Sequence, residues 1–204
     1  MLFRCTALLI ALLLLTTLTL TAQSAPPEDS VRRAEMVNQA MELAQPGPEH
    51  ERLSKLTGEW EQEISIWMEP GSDSVLVHGA AVNEMILGGR FLRFRSELEF
   101  MGTKGESLLL IGYDRRYRQY TILALDTWGT YYVSGVGQYD ESSNSITVVG
   151  EDYDPILEHT QVYEMTFAFE DDDSFRYTLV YTDDAHTKGE DPFKMVDITH
   201  RRKK

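Results

Sequence analysis

Asp126 and Trp128 stand at the end of a run in which Tyr120, Ile122 and Ala124 fall on the same strand face. An acid among aromatic and apolar neighbours has one of two fates. It sits in a pocket with a perturbed pKa, as catalytic and ligand-gripping carboxylates do, or it reaches solvent beside the "WGT" turn that follows. The five histidines, His50, His78, His159, His186 and His200, are scattered, and no two share metal-ligand spacing on one element. No metal site is assigned to them. "EDDDS" (170–174) lacks the ordered spacing and terminal glutamate of a calcium loop, and three aspartates in a turn read as a solvated charge run. No G-x-S-x-G elbow, H-E-x-x-H, phosphate-binding glycine loop or C-x-x-C is present. No catalytic set is therefore named. The candidates for contact with a small molecule are Trp60, Tyr113, Asp126, Trp128 and Tyr163. Further aromatics such as Tyr120, Tyr132, Phe167 and Tyr177 either line a cavity with them or fill it.

Composition narrows the partner. Met1–Arg4 is a short basic n-region, "TALLIALLLLTTLTLTA" is an apolar core, and Ala22 and Ser24 supply the small residues of a cleavage site. Residues 1–24 read as a signal peptide, with the mature chain starting near Ala25 in the periplasm or outside the cell. Cys5 is the only cysteine and leaves with the leader. Thiolate chemistry and zinc–cysteine sites are excluded, and about 180 residues are enough for one core without disulfides. The chain carries 19 Lys and Arg against 33 Asp and Glu. Losing Arg4 leaves 18 against 33, a net charge of −15, which disfavours nucleic acid and anionic membrane. No stable membrane span is expected after cleavage.

Helices and then strands must position these residues. "APPEDS" reads as a spacer, and "VRRAEMVNQAMELAQ" as an amphipathic helix ended by "PGP". "PEHERLSKLTG" adds one or two helical turns. From Glu59 the apolar period becomes two. It predicts strands over 59–68, 74–87, 90–101, 105–113, 118–127, 130–138, 144–152, 159–169, 174–182 and 193–201, separated by short turns. Short connections force sequential antiparallel pairing. Ten such strands avoid exposed edges by closing on themselves. The expected fold is all-β, a single up-and-down antiparallel barrel of about ten strands with short N-terminal helices. Residues 25–45 form the spacer and helix, and 46–204 form the barrel. A two-sheet sandwich is the alternative. A barrel with more than about eight strands has interior volume to spare.

The stripe "FLRFRSELEF" sharpens the question of what faces inward. Leu92, Phe94, Leu98 and Phe100 share one face, whereas Arg93, Arg95, Glu97 and Glu99 share the other. A turn at Gly102-Thr103 or Thr103-Lys104 sets Phe94 and Leu98 beside Leu109, Ile111 and Tyr113. Burying two arginines and two glutamates costs too much unless all are paired. The charged face is expected to point outward.

"PGPEHERLSKLTGEW" (46–60), "ILGGRFLRFRSELEFMG" (86–102), "LLIGYDRRYRQYTILALDTWGT" (109–130) and "FKMVDITHRRK" (193–203) together resemble the bacterial family catalogued as domain of unknown function 1579. The likeness covers about residues 46–203. That family is similar in architecture to calycin-like barrels such as lipocalins, fatty-acid-binding proteins and the haem-binding nitrobindins. The resemblance implies a barrel in which the tryptophan of "L-x-G-x-W", Trp60, closes one end by packing. Nitrobindin-like barrels hold haem through a histidine near the chain end, which would correspond to His200, but the glycine-rich continuation of their motif is missing. No cofactor is expected. The functional expectation is an exported, non-enzymatic barrel binding a small apolar or amphipathic molecule. Its alternatives are an enzyme using pocket carboxylates, of isomerase or hydrolase type, and a filled structural or interaction barrel.

Overall fold

The structure is a computed structural model that describes residues 27–156, 158–187, 189 and 191–204. The leader and Cys5 lie outside the described residues. The chain divides into two compact units, Met1–Gln39 and Ala40–Lys204. Helix α1 (Pro27–Leu43) runs from the first into the second. It begins earlier than the expected spacer allows. Pro27 sits where its missing N–H costs nothing, and Glu28 and Asp29 in the first turn complement the helix dipole. Among the described residues no helix is long and apolar enough to cross a membrane.

The second unit is the barrel. Its strands are β1 (Gly58–Ile66), β2 (Val75–Ile86), β3 (Phe91–Phe100), β4 (Thr103–Asp114), β5 (Gln119–Asp126), β6 (Tyr132–Asp140), β7 (Ser145–Asp154), β8 (His159–Phe169), β9 (Ser174–Tyr181) and β10 (Phe193–Arg202). Each pairs antiparallel with the next, and β1 pairs with β10 from Trp60↔Arg202 to Ile66↔Val196, which closes the barrel. Closure leaves no free edge, which is how an array of short antiparallel strands avoids exposing unpaired backbone. The inward face carries Leu92, Phe94, Ile111, Ile122, Val148, Met165 and Phe167, all buried.

Helix α2 (Pro48–Ser54) plugs the end formed by the start of β1 and the end of β10. The backbone N–H of Gly47 donates to His50 Nδ1 (3.0 Å), so this nitrogen carries no proton. Burial lowers the His50 pKa in the same sense. Leu53 and Leu56 are buried beneath α2. The Leu56 carbonyl accepts from Trp60 Nε1 (3.1 Å) and Asn83 Nδ2 (2.8 Å). Arg52 donates to the Tyr120 hydroxyl (2.9 Å) and lies over the Tyr139 ring.

The charged stripe faces outward. Arg93 pairs with Glu84 (2.6 Å), and Arg95 bridges Glu97 (3.1 Å) and Glu106 (3.0 Å), two glutamates that are cross-strand neighbours. The turn that sets this register is Met101-Gly102, with φ of 51° and 77° at its two positions, so Phe100 pairs with Thr103. This is one residue before the nearer of the two expected turns, and the parity that assigns residues to the two faces is unchanged. Arg95 is 52% exposed, and pairs of this kind contribute about 0–1 kcal/mol. Arg95→Ala is expected to shift a urea unfolding curve by no more than that. A loss above about 2 kcal/mol, twice the upper end of that range, would mean the arginine is structural.

Candidate functional site

The barrel interior is filled from the α2 end upward. Trp60 packs edge-on against Phe175 (4.7 Å), and Phe175 stacks on His200 (3.9 Å, 9°). Above them Ser96 Oγ donates to Gln62 Oε1, and Gln62 Nε2 lies 2.9 Å from His200 Nε2. The amide N–H₂ is a donor, so His200 Nε2 accepts. Burial lowers the His200 pKa to about 3, only partly offset by the nearby backbone of Phe175 and Ile198. A cavity of about 200 Å³ remains beside this chain, walled by Leu98, Val133, Leu179 and Ile198 among others.

That cavity does not fit a haem held by His200. Its volume is below the roughly 300–1,000 Å³ of pockets that enclose even drug-sized ligands. Nε2 is already engaged by Gln62, and Phe175 covers a face of the ring. As the interior stands, the cavity and the engaged Nε2 do not accommodate a haem held by His200.

A larger space opens at the opposite end, where β6 and β10 begin and β5, β7 and β9 finish. This mouth cleft has a volume of about 500 Å³ and is lined by Tyr131, Tyr132, Val133, Asp152, Tyr153, Asp154, Pro155, Ile156, Gln161, Tyr163, Leu179 and Tyr181. Val133 and Leu179 also wall the inner cavity. The turned-in face of β7 runs Val148, Gly150, Asp152, and Gly150 lets the Tyr163 ring lie across it, where a Cβ would collide with that ring. Tyr163 donates to the Ser134 carbonyl (3.2 Å) and meets Tyr181 edge-on (6.3 Å). Burial raises the Tyr163 pKa and lifts that of Tyr181 to about 12, so both stay protonated.

Asp152 is the charged group of this cleft without a match. Its Oδ1 is buried and has no hydrogen-bond partner among the described residues. Desolvation, and then the charge of Asp154, raise its pKa. An unpartnered buried carboxylate oxygen costs free energy that a donor on a ligand recovers.

The five residues singled out from sequence do not converge. Trp60 belongs to the plug at the α2 end. Tyr113 stands at that end too, 5.0 Å from Tyr120 and 6.1 Å from His50, beside an outer groove of about 520 Å³. Asp126 is exposed, caps its own turn by accepting from Trp128 N (2.8 Å) and Gly129 N (3.1 Å), and touches the rim of the inner cavity. Trp128 is half-exposed, packs edge-on to Phe100 and covers Gly105. Only Tyr163 lies in the mouth cleft. Asp152 was missed, although its parity with Val148 and Gly150 marks it as inward. His159, Asp183 and His186 were missed as a group because they come from β8, from the loop after β9, and from α3 (Asp184–Thr187). Their side chains meet at the rim of the mouth.

A family model described as "Protein of unknown function (DUF1579)" matches residues 45–202. No curated protein matches the chain. Among solved structures, the crystal structure of Rv2717c from M. tuberculosis is similar, with a TM-score of 0.57 at 14% identity over 78% of this chain and 100% of that one. At that identity the likeness carries the fold alone.

Proposed function

Because the chain belongs to the DUF1579 family, whose description names no activity, we propose from the site itself that this is an exported, non-enzymatic barrel that binds a small amphipathic molecule in its mouth cleft. The observation that carries the reading is the buried, unpartnered Oδ1 of Asp152 in the lining of a tyrosine-lined space of about 500 Å³. The tyrosines offer broad apolar faces and retained hydroxyl donors. Asp152 selects a head group that donates, such as an amine.

Charge supports the same choice. Fatty-acid-type barrels turn arginine inward for a carboxylate, but Arg93 and Arg95 point outward and no lysine or arginine is among the described residues lining the cleft. The acidic surface also repels anions before they reach the mouth. The export half of the reading rests on the leader-like first 24 residues. An enzymatic reading draws on the same place, where Asp152 and Asp154 are neighbouring inward carboxylates and the Asp152 pKa is raised.

Matched series of aryl-alkyl amines and carboxylates, tested by thermal shift and calorimetry, separate these outcomes. Amines are expected to bind and carboxylates not. A hydrogen bond to a charged group contributes about 1.5–3 kcal/mol. Asp152→Asn should therefore weaken amine binding by about tenfold to a hundredfold while leaving the fold intact. Equal binding of both series, or an unchanged affinity in Asp152→Asn, would overturn the proposal.

A further inference from the structure

We propose that His159, Asp183 and His186 form a binding site for a divalent metal ion of the zinc class, set on the rim of the barrel mouth. The proposal stands independently of what fills the cleft. Asp183 Oδ1 lies 2.9 Å from His159 Nε2 and 2.9 Å from His186 Nδ1, so two imidazoles from separate elements converge on one carboxylate oxygen. One histidine would satisfy that oxygen's need for a partner, since the backbone N–H groups of His186 and Val162 already donate to the two carboxylate oxygens (each 3.1 Å). His186 Nδ1 also lies 3.0 Å from Asp183 Oδ2, so both imidazoles and both carboxylate oxygens crowd one point.

The donor atoms are preset for coordination. All three lie within 4.8 Å of one another. Ligands at zinc bond lengths of about 2.0–2.1 Å in tetrahedral geometry stand roughly 3.3–3.4 Å apart. The two nitrogen-to-oxygen separations need to open by only about half an ångström to match that geometry. The His186 ring stacks on Tyr181 (4.1 Å, 13°), and the His159 backbone is fixed at the start of β8 by its strand pairing with Asp154. The side chains of His159, Asp183 and His186 are 22%, 7% and 17% exposed, enough for an ion to enter and for water or a ligand to complete the shell.

The chemistry of the set names the metal class. Two imidazoles and a carboxylate suit zinc, copper, nickel or cobalt over magnesium or calcium, which prefer oxygen shells. Three protein ligands leave a position open, as in exchangeable or catalytic sites rather than closed structural ones. That position belongs to the same rim as the cleft, since Gln161 and Tyr181 line the cleft and neighbour His159 and His186.

Untagged full-chain protein, stripped with chelator, is titrated with cobalt(II) and then zinc(II). The expected result is one equivalent bound, with visible cobalt absorption of a four- or five-coordinate site that zinc bleaches. His159→Gln and His186→Gln should each weaken cobalt binding at least about tenfold, the lower end of what losing a metal-site interaction costs, with circular dichroism reporting an unchanged sheet. His78→Gln, a histidine remote from the cluster in sequence, should bind as the parent does. Absence of saturable binding at one equivalent, binding that survives both cluster substitutions, or loss in His78→Gln would overturn the proposal.

Discussion

Trp60→Ala is expected to destabilise the barrel by about 3–5 kcal/mol, the range for removing a large buried aromatic. The Trp60 side chain is 2% exposed and joins three parts of the plug. Its ring packs edge-on to Phe175, its Nε1 donates to the Leu56 carbonyl, and the Arg202 guanidinium lies 4.2 Å above the ring centre. Truncation leaves a void under α2 that neighbouring strands cannot collapse to fill, because β1 is held on both sides by β2 and β10. Trp60→Phe keeps most of the packing and loses the hydrogen bond, so it should cost less than Trp60→Ala. Urea unfolding followed by circular dichroism measures both. A cost below about 1 kcal/mol for Trp60→Ala, far under the range for a buried aromatic, would show that the tryptophan does not close the barrel end.

The second large effect is on pH. His200 is fully buried, and burial lowers its pKa to about 3 from 6.5. The unfolded chain takes up this proton below about pH 6.5, whereas the folded chain does not. Folded stability is therefore complete above about pH 6.5 and is lost as pH falls from there toward about 3, at about 1.4 kcal/mol per unit. Between pH 7 and pH 5 the loss from this residue is about 2 kcal/mol, and toward pH 3 it approaches about 4–5 kcal/mol. His200→Gln removes this component. His50, also lowered, and the lowered carboxylates Asp183 and Asp197 remain in both proteins. The parent should thus lose about 2 kcal/mol more than His200→Gln between pH 7 and pH 5. Parallel pH curves would mean that His200 takes up its proton inside the barrel.

The architecture was legible because period-two patterning recurs in ten segments joined mostly by short polar turns, and each repeat constrains the next. The outward stripe was legible from desolvation alone, since four charges without inward partners are costly to bury. Smaller features escaped for local reasons. Met101 occupies the first left-handed position of a tight turn, where asparagine, aspartate or glycine would have announced it. Pro27 starts a helix within what composition presents as a spacer, and α3, only four residues long, sits inside a polar loop. The site was much less legible. Strand parity marks both Tyr163 and Asp152 as inward, but parity does not say at which height of the barrel a residue stands. Asp126 shares inward parity and ends at a rim, capping its own turn. The His159–Asp183–His186 group depends on α3 folding back toward the start of β8, which no spacing within one element encodes.

Occupation of the mouth cleft by a small organic molecule is tested most directly by native mass spectrometry of the untagged protein isolated from its own host. The comparison is with Leu179→Trp, which fills the wall shared by the cleft and the inner cavity, once circular dichroism has shown its sheet to be intact. The parent is expected to carry an organic adduct that leaves on collisional activation, distinct in mass from a metal ion, and the variant to fly without it. A parent that shows only the bare polypeptide mass, or a variant loaded as fully as the parent, would contradict occupation of the cleft and leave a filled barrel in its place.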